Sequence, residues 1–184
     1  ATVRGEEAAI GNLITDAMRA ATGADVAITN GGGIRGNKEY AAGATLARRD
    51  VLSELPFGNK TVLIEAKGAT ILAALENGVG QVEQAAGRFP QVSGLKAKVD
   101  LKKAAGSRVV AIEIGGQPLD PAKTYRIATN DFMLRGGDGY TMFADGKVIL
   151  GPLDGKLMAD QVMAYVAKAG KVAPKPEGRV EFVQ

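Results

Sequence analysis

The stretch VAITNGGGIRG, residues 26–36, joins an apolar run to three consecutive glycines and an arginine. The apolar part predicts a short buried strand, and glycines there need a reason because glycine loses the most conformational entropy on folding. Adjacent glycines let backbone N–H groups approach an anion, and Arg35 can contact a phosphate bidentately. The alternative is a glycine turn followed by a solvated arginine. Neither the Lys-Ser/Thr ending of a P-loop nor the apolar helix of a dinucleotide fingerprint follows.

The segments on either side of this stretch predict a mixture of helices and strands. Apolar periodicity predicts helices over residues 6–21, 45–55, 68–81 and 155–170, and strands over residues 24–30, 60–68, 95–101, 108–116, 121–130 and 179–183. Residues 85–94 and 131–140 are predicted as loops. Helices and strands mix early and strands follow one another in the middle, so we predict an α+β fold with mixed β-sheets. A chain of 184 residues fits a single domain over residues 1–184.

Two absent residue types exclude several kinds of chemistry. The sequence has no Cys, which excludes a thiolate nucleophile and a disulfide. It has no His, which excludes a Ser-His-Asp triad and removes the commonest ligand of catalytic zinc. No clustered run of Asp and Glu is visible, so we expect no metal or other cofactor to be bound by this chain. The chain by itself is therefore poorly equipped for hydrolysis.

Charge and hydropathy limit the kinds of partner that this chain is expected to bind. The net charge is only +3 and the basic residues are scattered, which argues against a nucleic-acid partner. No apolar run approaches the roughly 20 residues that a membrane helix needs, so no membrane partner is expected. The first residues also lack the basic and apolar regions of a signal peptide.

A second glycine-rich loop, NDFMLRGGDGY at residues 130–140, also follows a predicted strand. An exposed Phe132 is costly in such a loop unless it stacks on something. Asp138 lies between glycines, where its carboxylate can accept hydrogen bonds from vicinal hydroxyls such as those of ribose. The alternative is a tight turn at Asp138 and Gly139, with Phe132 in the core.

The segment LPFGN, residues 55–59, places a second aromatic ring on a turn. A planar ligand could lie between Phe57 and Phe132 if the fold brings them together; the alternative is that Phe57 anchors the core at the end of a helix. Arg4 and Glu7 precede the first helix, where an exposed ion pair is the default interpretation.

Together these segments resemble the C-terminal domain of the 5'-nucleotidases. The quoted motifs occur in that family's order and approximate spacing, from Arg4 to about Phe182: GNLITDAM, ITNGGGIRG, LPFGN, ATNDFMLRGGDGY and EGRVEF. The family includes bacterial periplasmic 5'-nucleotidase/UDP-sugar hydrolases and animal ecto-5'-nucleotidases. The resemblance implies a layered α/β/β/α-type domain with mixed β-sheets that binds a nucleoside or nucleotide. It also implies an N-terminal metallophosphoesterase domain, absent from this chain, that holds two divalent metal ions and the catalytic residues.

The resemblance implies how a nucleoside would be held. Phe57 and Phe132 would enclose the base, Asp138 would accept hydrogen bonds from the ribose hydroxyls, and Asn30 would contact the base edge.

The same resemblance implies how the phosphate would be reached. Arg4 and Arg35 would contact it, while Gly136 and Gly137 would let their loop pass close to the nucleoside. No catalytic residue and no metal ligand is expected in this chain.

The full-length protein is then expected to hydrolyse nucleoside 5'-phosphates to nucleoside and phosphate outside the cytoplasm, for instance in a periplasm. The isolated chain is expected to bind nucleotide weakly and to hydrolyse nothing. Three alternatives stay open: the same domain of a 2',3'-cyclic-nucleotide phosphodiesterase/3'-nucleotidase or UDP-sugar hydrolase, a freestanding nucleotide-binding module without a catalytic partner, and a folded domain whose loops bind nothing.

Overall fold

The computed structural model describes residues 2–184, and helices and strands alternate along most of that range. The α-helices are α1 (Ala9–Thr22), α2 (Arg48–Glu54), α3 (Gly68–Val79), α4 (Asp131–Leu134) and α5 (Met158–Ala169). The strands are β1 (Val26–Asn30), β2 (Thr61–Lys67), β3 (Pro90–Ser93), β4 (Leu95–Val99), β5 (Val109–Ile114), β6 (Gln117–Pro118), β7 (Thr124–Asn130), β8 (Lys147–Leu150) and β9 (Val180–Phe182).

The strands form two mixed sheets. The larger has the order β3-β1-β7-β2-β8, with β1 parallel to β7 and the other pairs antiparallel. The smaller has the order β6-β5-β4-β9, with β4 parallel to β9. The predicted α+β class with mixed sheets is therefore confirmed, as is the hairpin of β4 and β5, in which Ala97 lies opposite Ile112.

The larger sheet is covered on both faces, because the side chains of a strand alternate in direction. Ala27 of β1 packs in a cluster with Leu13 and other residues of α1, α2 and α5. Val26 and Ile28 point to the opposite face and pack with Ile71 of α3 and with the smaller sheet. Every residue of β1 is consequently buried, which explains its continuous apolar pattern.

The prediction of a loop over residues 85–94 was wrong for β3. Pro90–Ser93 is a buried edge strand paired antiparallel with β1, with Val92 opposite Ile28. Proline is tolerated at the first position of an edge strand because no ladder hydrogen bond needs its missing N–H. The turn-forming residues around this short strand, Gly87 and Gly94 among them, concealed it.

Other elements also differ from the predictions, and helices α1 and α5 each begin three residues later than predicted, at Ala9 and Met158. Residues 131–140 begin with one helical turn, α4, because the Asn130 side chain accepts a hydrogen bond from the Met133 N–H at 2.9 Å. Helix α2 begins at Arg48 rather than at residue 45, since the Asp50 carboxylate accepts the Ala47 N–H at 2.9 Å. Strand β8 was not predicted at all; it is short and lies at the sheet edge.

The Glu7 carboxylate joins the segment before α1 to the segment before β9. It accepts hydrogen bonds from the Asn12 side chain at 2.7 Å, the Glu177 N–H at 2.6 Å and the Arg179 N–H at 2.8 Å. Partial burial raises the pKa of Glu7, and these hydrogen bonds outweigh it, so that the pKa lies below its usual 4.5. The ionised carboxylate is thus the form that the fold stabilises.

We expect Glu7→Gln to destabilise the protein at neutral pH by about 1 kcal/mol, a value reduced by the solvent exposure of the group. Because the folded-state pKa is depressed, the stabilisation is fully present above the unfolded value of 4.5 and is lost as the pH falls through the folded pKa. Urea unfolding at pH 7 and pH 3 should therefore show a difference between variant and wild type that shrinks in acid. Glu6→Gln, at an exposed neighbour, is the control; an equal loss at both pH values would contradict the charge argument.

Candidate functional site

A cleft of about 400 Å³ opens at the edge of the larger sheet where β1 and β7 end. Since these strands are parallel neighbours, their carboxyl ends and the loops that follow lie on the same side. This volume lies within the range of small-molecule pockets, roughly 300–1,000 Å³. The lining residues are Arg4, Asn30, Gly32, Gly33, Arg35, Phe57, Asn59, Gly87, Phe132 and Asp138.

All six side chains singled out in the sequence line this one cleft, although they come from four separate segments of the chain. Sequence reasoning did not single out Asn59 or Gly87, and it considered Gly32 and Gly33 only as part of the glycine run. Asn59 stands in the quoted LPFGN motif, but nothing in its residue type distinguished it. Gly87 lay in a segment predicted to be an ordinary loop, and only the pairing of β3 with β1 brings it to the cleft.

The two aromatic side chains in the cleft are exposed. Phe57 is 59% and Phe132 is 37% exposed, so neither belongs to the core, and both core alternatives were wrong. Phe132 is carried by α4, and its ring rests on the backbone of Gly137, where a Cβ atom would lie 2.5 Å from the ring. Two exposed rings lining one cleft provide an apolar site for a planar ligand.

Gly137 makes room for this ring, and Gly136 shapes the backbone of the loop before it. Gly136 has φ +89°, a left-handed conformation that favours glycine, and Gly137 leaves room for the Phe132 ring. Within the described part of the chain, the cleft lining includes neither glycine. Their expected closeness to a nucleoside remains a prediction.

Two cationic groups in the cleft are not neutralised. Among residues 2–184, no carboxylate lies within 4.0 Å of the guanidinium of Arg4 or Arg35. The expected pair of Arg4 with Glu7 is therefore wrong. Arg35 lies over the Phe57 ring, with Cζ 5.6 Å from the ring centroid, a cation–π contact. Guanidinium groups free of carboxylate partners can bind a phosphate through paired hydrogen bonds.

Asp138 brings a carboxylate to the same cleft. Its Oδ2 accepts a hydrogen bond from Asn30 Nδ2 at 2.7 Å, and Asn30 Oδ1 accepts one from Asn130 Nδ2 at 3.1 Å. The buried Asn30 amide is thus engaged at both ends within the protein and orients Asp138. A contact between Asn30 and the edge of a base would use its second N–H or second lone pair, and it remains a prediction.

The glycine run does not cradle an anion with its first two N–H groups. Gly31 N–H donates to the Phe89 carbonyl at 2.7 Å, and Gly32 N–H donates to the Gly87 carbonyl at 2.8 Å. A Cβ atom on Gly31 would lie 1.9 Å from the Val3 carbonyl oxygen. These glycines therefore let two other backbone segments pass against the end of β1, and the expectation of an anion site at their N–H groups was wrong.

Comparison with known families identifies the domain that carries this cleft. The sequence profile described as "5'-nucleotidase, C-terminal domain" matches residues 1–145. The chain belongs to this family. As a 5'-nucleotidase C-terminal domain, it carries the cleft just described at the edge of its larger sheet.

Individual relatives agree with the family assignment. The chain is 38% identical over 192 residues to the trifunctional nucleotide phosphoesterase protein YfkN of Bacillus subtilis, and 34% identical over 199 residues to a 5'-nucleotidase of Diplobatis ommata; both comparisons cover 98% of this chain. The crystal structure of a 5'-nucleotidase precursor from Thermus thermophilus superposes with a TM-score of 0.90 at 42% identity over 98% of this chain. The chain spans only 13%, 34% and 36% of these three proteins, respectively.

Two absences hold for the residues that the structure describes. Within residues 2–184, no three Asp or Glu side chains converge as a set that could hold a metal ion. In the same range, no helix combines the length and the apolar character needed to cross a bilayer.

Proposed function

We propose that this chain is the nucleotide-binding domain of a metal-dependent 5'-nucleotidase that converts nucleoside 5'-phosphates to nucleoside and phosphate. The observation that supports it most is that one cleft gathers two exposed rings, two unpaired guanidiniums and a carboxylate. Each part of a nucleoside monophosphate has a chemical partner in that set. The family membership and the 5'-nucleotidase names of several relatives support the same proposal.

The base would stack between Phe57 and Phe132. Stacking on an aromatic ring contributes roughly 1–3 kcal/mol per base and tolerates any base, because every base has a π-face. The site would therefore accept several nucleosides with little discrimination among them. An ionised Asp138 only accepts hydrogen bonds, which suits the donating 2'- and 3'-hydroxyls of ribose.

The phosphate would be held by Arg4 and Arg35. Each guanidinium presents a planar fork of donors that matches the geometry of a phosphate. Their contribution to catalysis would be to position the phosphate and to oppose the charge that develops on it. Arg35 would do this from its place over Phe57, at the edge of the stacked base.

The hydrolytic step would belong to a metallophosphoesterase domain N-terminal to this chain, which accords with the greater length of the relatives. Two divalent metal ions in that domain would supply an activated water. Closure of the two domains would bring the nucleotide held by this chain to those ions, a step able to limit turnover. We place the full-length protein outside the cytoplasm, as the word "precursor" in the name of the Thermus thermophilus relative suggests.

A broader phosphoesterase is the second candidate. One relative is named a trifunctional nucleotide phosphoesterase. The proposed site would hold a nucleoside through the two rings and Asp138, so a UDP-sugar, whose uridine keeps both ribose hydroxyls, is a further candidate substrate. A 2',3'-cyclic nucleotide has neither hydroxyl free and would be held by the rings and the arginines alone. Assays of the full-length protein on AMP, UDP-glucose and 2',3'-cyclic AMP separate these activities.

The isolated chain should bind AMP more tightly than adenosine. Arg4→Gln and Arg35→Gln should each lower the affinity for AMP about tenfold, as expected for the loss of a hydrogen bond to a charged group. Adenosine affinity should change less. Calorimetric titration of both ligands at low and high salt measures this, because the phosphate advantage is electrostatic and salt screens it.

Arg135→Gln is the matched control for this titration, since Arg135 is exposed, pairs with Asp131 and does not line the cleft. Phosphate release should be followed in the same samples with added divalent metal. Release of phosphate from AMP by this chain alone would overturn the proposed division between domains. Failure to bind either ligand would overturn the proposed function itself.

A further inference from the structure

Asn77, near the end of α3, joins three parts of the structure through its side-chain amide. Its Nδ2 donates to the main-chain carbonyl of Asp138 at 3.1 Å, and its Oδ1 accepts from Arg88 Nη1 at 3.1 Å. Asn77 is half-buried and does not line the cleft. It therefore ties the turn that carries Asp138 to α3 and to the loop before β3.

The turn needs such a tie because of its backbone conformation. Asp138 has φ +54°, in the left-handed region that side-chain-bearing residues rarely adopt, and it stands between Gly136 at +89° and Gly139 at +81°. A glycine-rich backbone of this kind can adopt many other conformations when no contacts from outside the turn hold it. Asn77 packs directly on it: a Cβ atom on Gly139 would lie 2.7 Å from Asn77 Oδ1.

The partners of Asn77 are themselves fixed. The hydroxyl of Tyr140, which is fully buried, donates to the Arg88 carbonyl at 2.5 Å. Burial also raises the pKa of Tyr140, which keeps the hydroxyl a neutral donor. Arg88 is thus held on its main chain by the residue that follows the turn, and its guanidinium orients the Asn77 amide.

We propose that Asn77, oriented by Arg88, is a positioning residue for Asp138. Asn30 holds the carboxylate end of Asp138 at 2.7 Å, and Asn77 holds its main-chain end at 3.1 Å, so two points fix the orientation of Asp138 in the cleft. This inference rests on the proposed function, because it assigns to Asn77 the selection of ligands that carry vicinal hydroxyls.

The neighbouring residue Glu76 provides a matched control. Its carboxylate accepts two backbone hydrogen bonds, from Arg108 N–H at 3.0 Å and Val109 N–H at 2.7 Å, on the side of α3 that faces the smaller sheet. Glu76→Ala therefore removes as many hydrogen bonds from the same helical turn as Asn77→Ala does. Its effect is confined to stability if the inference is right.

The test compares adenosine with 2',3'-dideoxyadenosine, which lacks both hydroxyls, by calorimetric titration of the chain. The wild type should prefer adenosine by about tenfold, and Asp138→Asn should remove most of that preference. Asn77→Ala and the near-isosteric Asn77→Asp, which cannot donate to the Asp138 carbonyl, should remove it as well. Glu76→Ala should keep it. Thermal unfolding identifies any variant that has not folded.

Amide hydrogen exchange of Gly139 and Tyr140 in the ligand-free protein gives a second readout. Both N–H groups are bonded within the turn, to the carbonyls of Gly136 and Gly137 at 3.2 Å, so faster exchange in Asn77→Ala reports a loosened turn. If a folded Asn77 variant keeps the wild-type preference, or keeps wild-type exchange, the positioning role is overturned and the proposed function stands. If the wild type itself shows no preference for adenosine, the role of Asp138 in the proposed function fails, and this inference fails with it.

Discussion

Replacing both Phe57 and Phe132 by alanine is expected to abolish measurable nucleoside binding while the protein stays folded. Each ring would contribute roughly 1–3 kcal/mol by stacking, so each single variant should lose about 5- to 150-fold in affinity. The losses of binding free energy should nearly add in the double variant, because the two rings would face opposite sides of the base. Stability should change little, since both side chains are exposed in the cleft. Titration with adenosine, guanosine and uridine measures the effect for three bases.

Leu153→Ala is the control for removal of an exposed apolar side chain, because Leu153 is 95% exposed and lies outside the cleft. Phe132→Tyr keeps the ring and should keep most of the affinity. Wild-type affinity in both single alanine variants would mean that the rings do not contact the ligand. If the wild-type chain bound no nucleoside at all, the bland alternative, a folded domain whose loops bind nothing, would gain support.

The substitution Gly31→Ala is expected to destabilise the protein by about 3 kcal/mol, at the upper end of the usual cost of overpacking. The new Cβ atom would lie 1.9 Å from the Val3 carbonyl oxygen, and backbone cannot move aside as a flexible side chain can. For a chain of this length, that loss lowers the midpoint of thermal unfolding by roughly 6–12 °C. Because Val3 precedes Arg4, the displaced segment should also weaken AMP binding more than adenosine binding.

Gly5→Ala is the matched control, since a Cβ atom on Gly5 meets nothing within 4 Å and this glycine lies in the same segment. Its stability should stay within about 0.5 kcal/mol of the wild type. Thermal and urea unfolding of both variants provide the comparison. A Gly31→Ala variant as stable as Gly5→Ala would show that the segment at Val3 is not held against β1.

The elements that were predicted well carry a local signal. Helix α3 and the hairpin of β4 and β5 appear where apolar periodicity placed them, because each buries one face and repeats that requirement along its own sequence. Strand β3 lacks such a signal. Its four residues become a strand because β1 offers an edge to pair with, and that edge is not encoded in residues 90–93.

The residues that line the candidate site were predicted from residue types and from the order of the motifs. Aromatic residues, arginines and an aspartate in glycine-rich loops predicted a planar ligand and a phosphate, and the absence of His and Cys indicated a chain poorly equipped for hydrolysis by itself. The nucleotide and the separate catalytic domain came from the family resemblance. Periodicity and turn chemistry act over a few residues, which is why a sequence reveals them.

The placement of these groups depends on contacts between distant parts of the chain. The parallel pairing of β1 with β7 brings the loops with Arg35 and Asp138 to one edge of the sheet. The carbonyls of Phe89 and Gly87 accept the hydrogen bonds of the first two N–H groups of the glycine run. Those contacts join residues tens of positions apart. The sequence therefore indicated which residues line the site. The tertiary structure decided that Gly31 and Gly32 serve close backbone packing and not anion binding, because an N–H group inside the protein donates to a carbonyl that the fold brings near it.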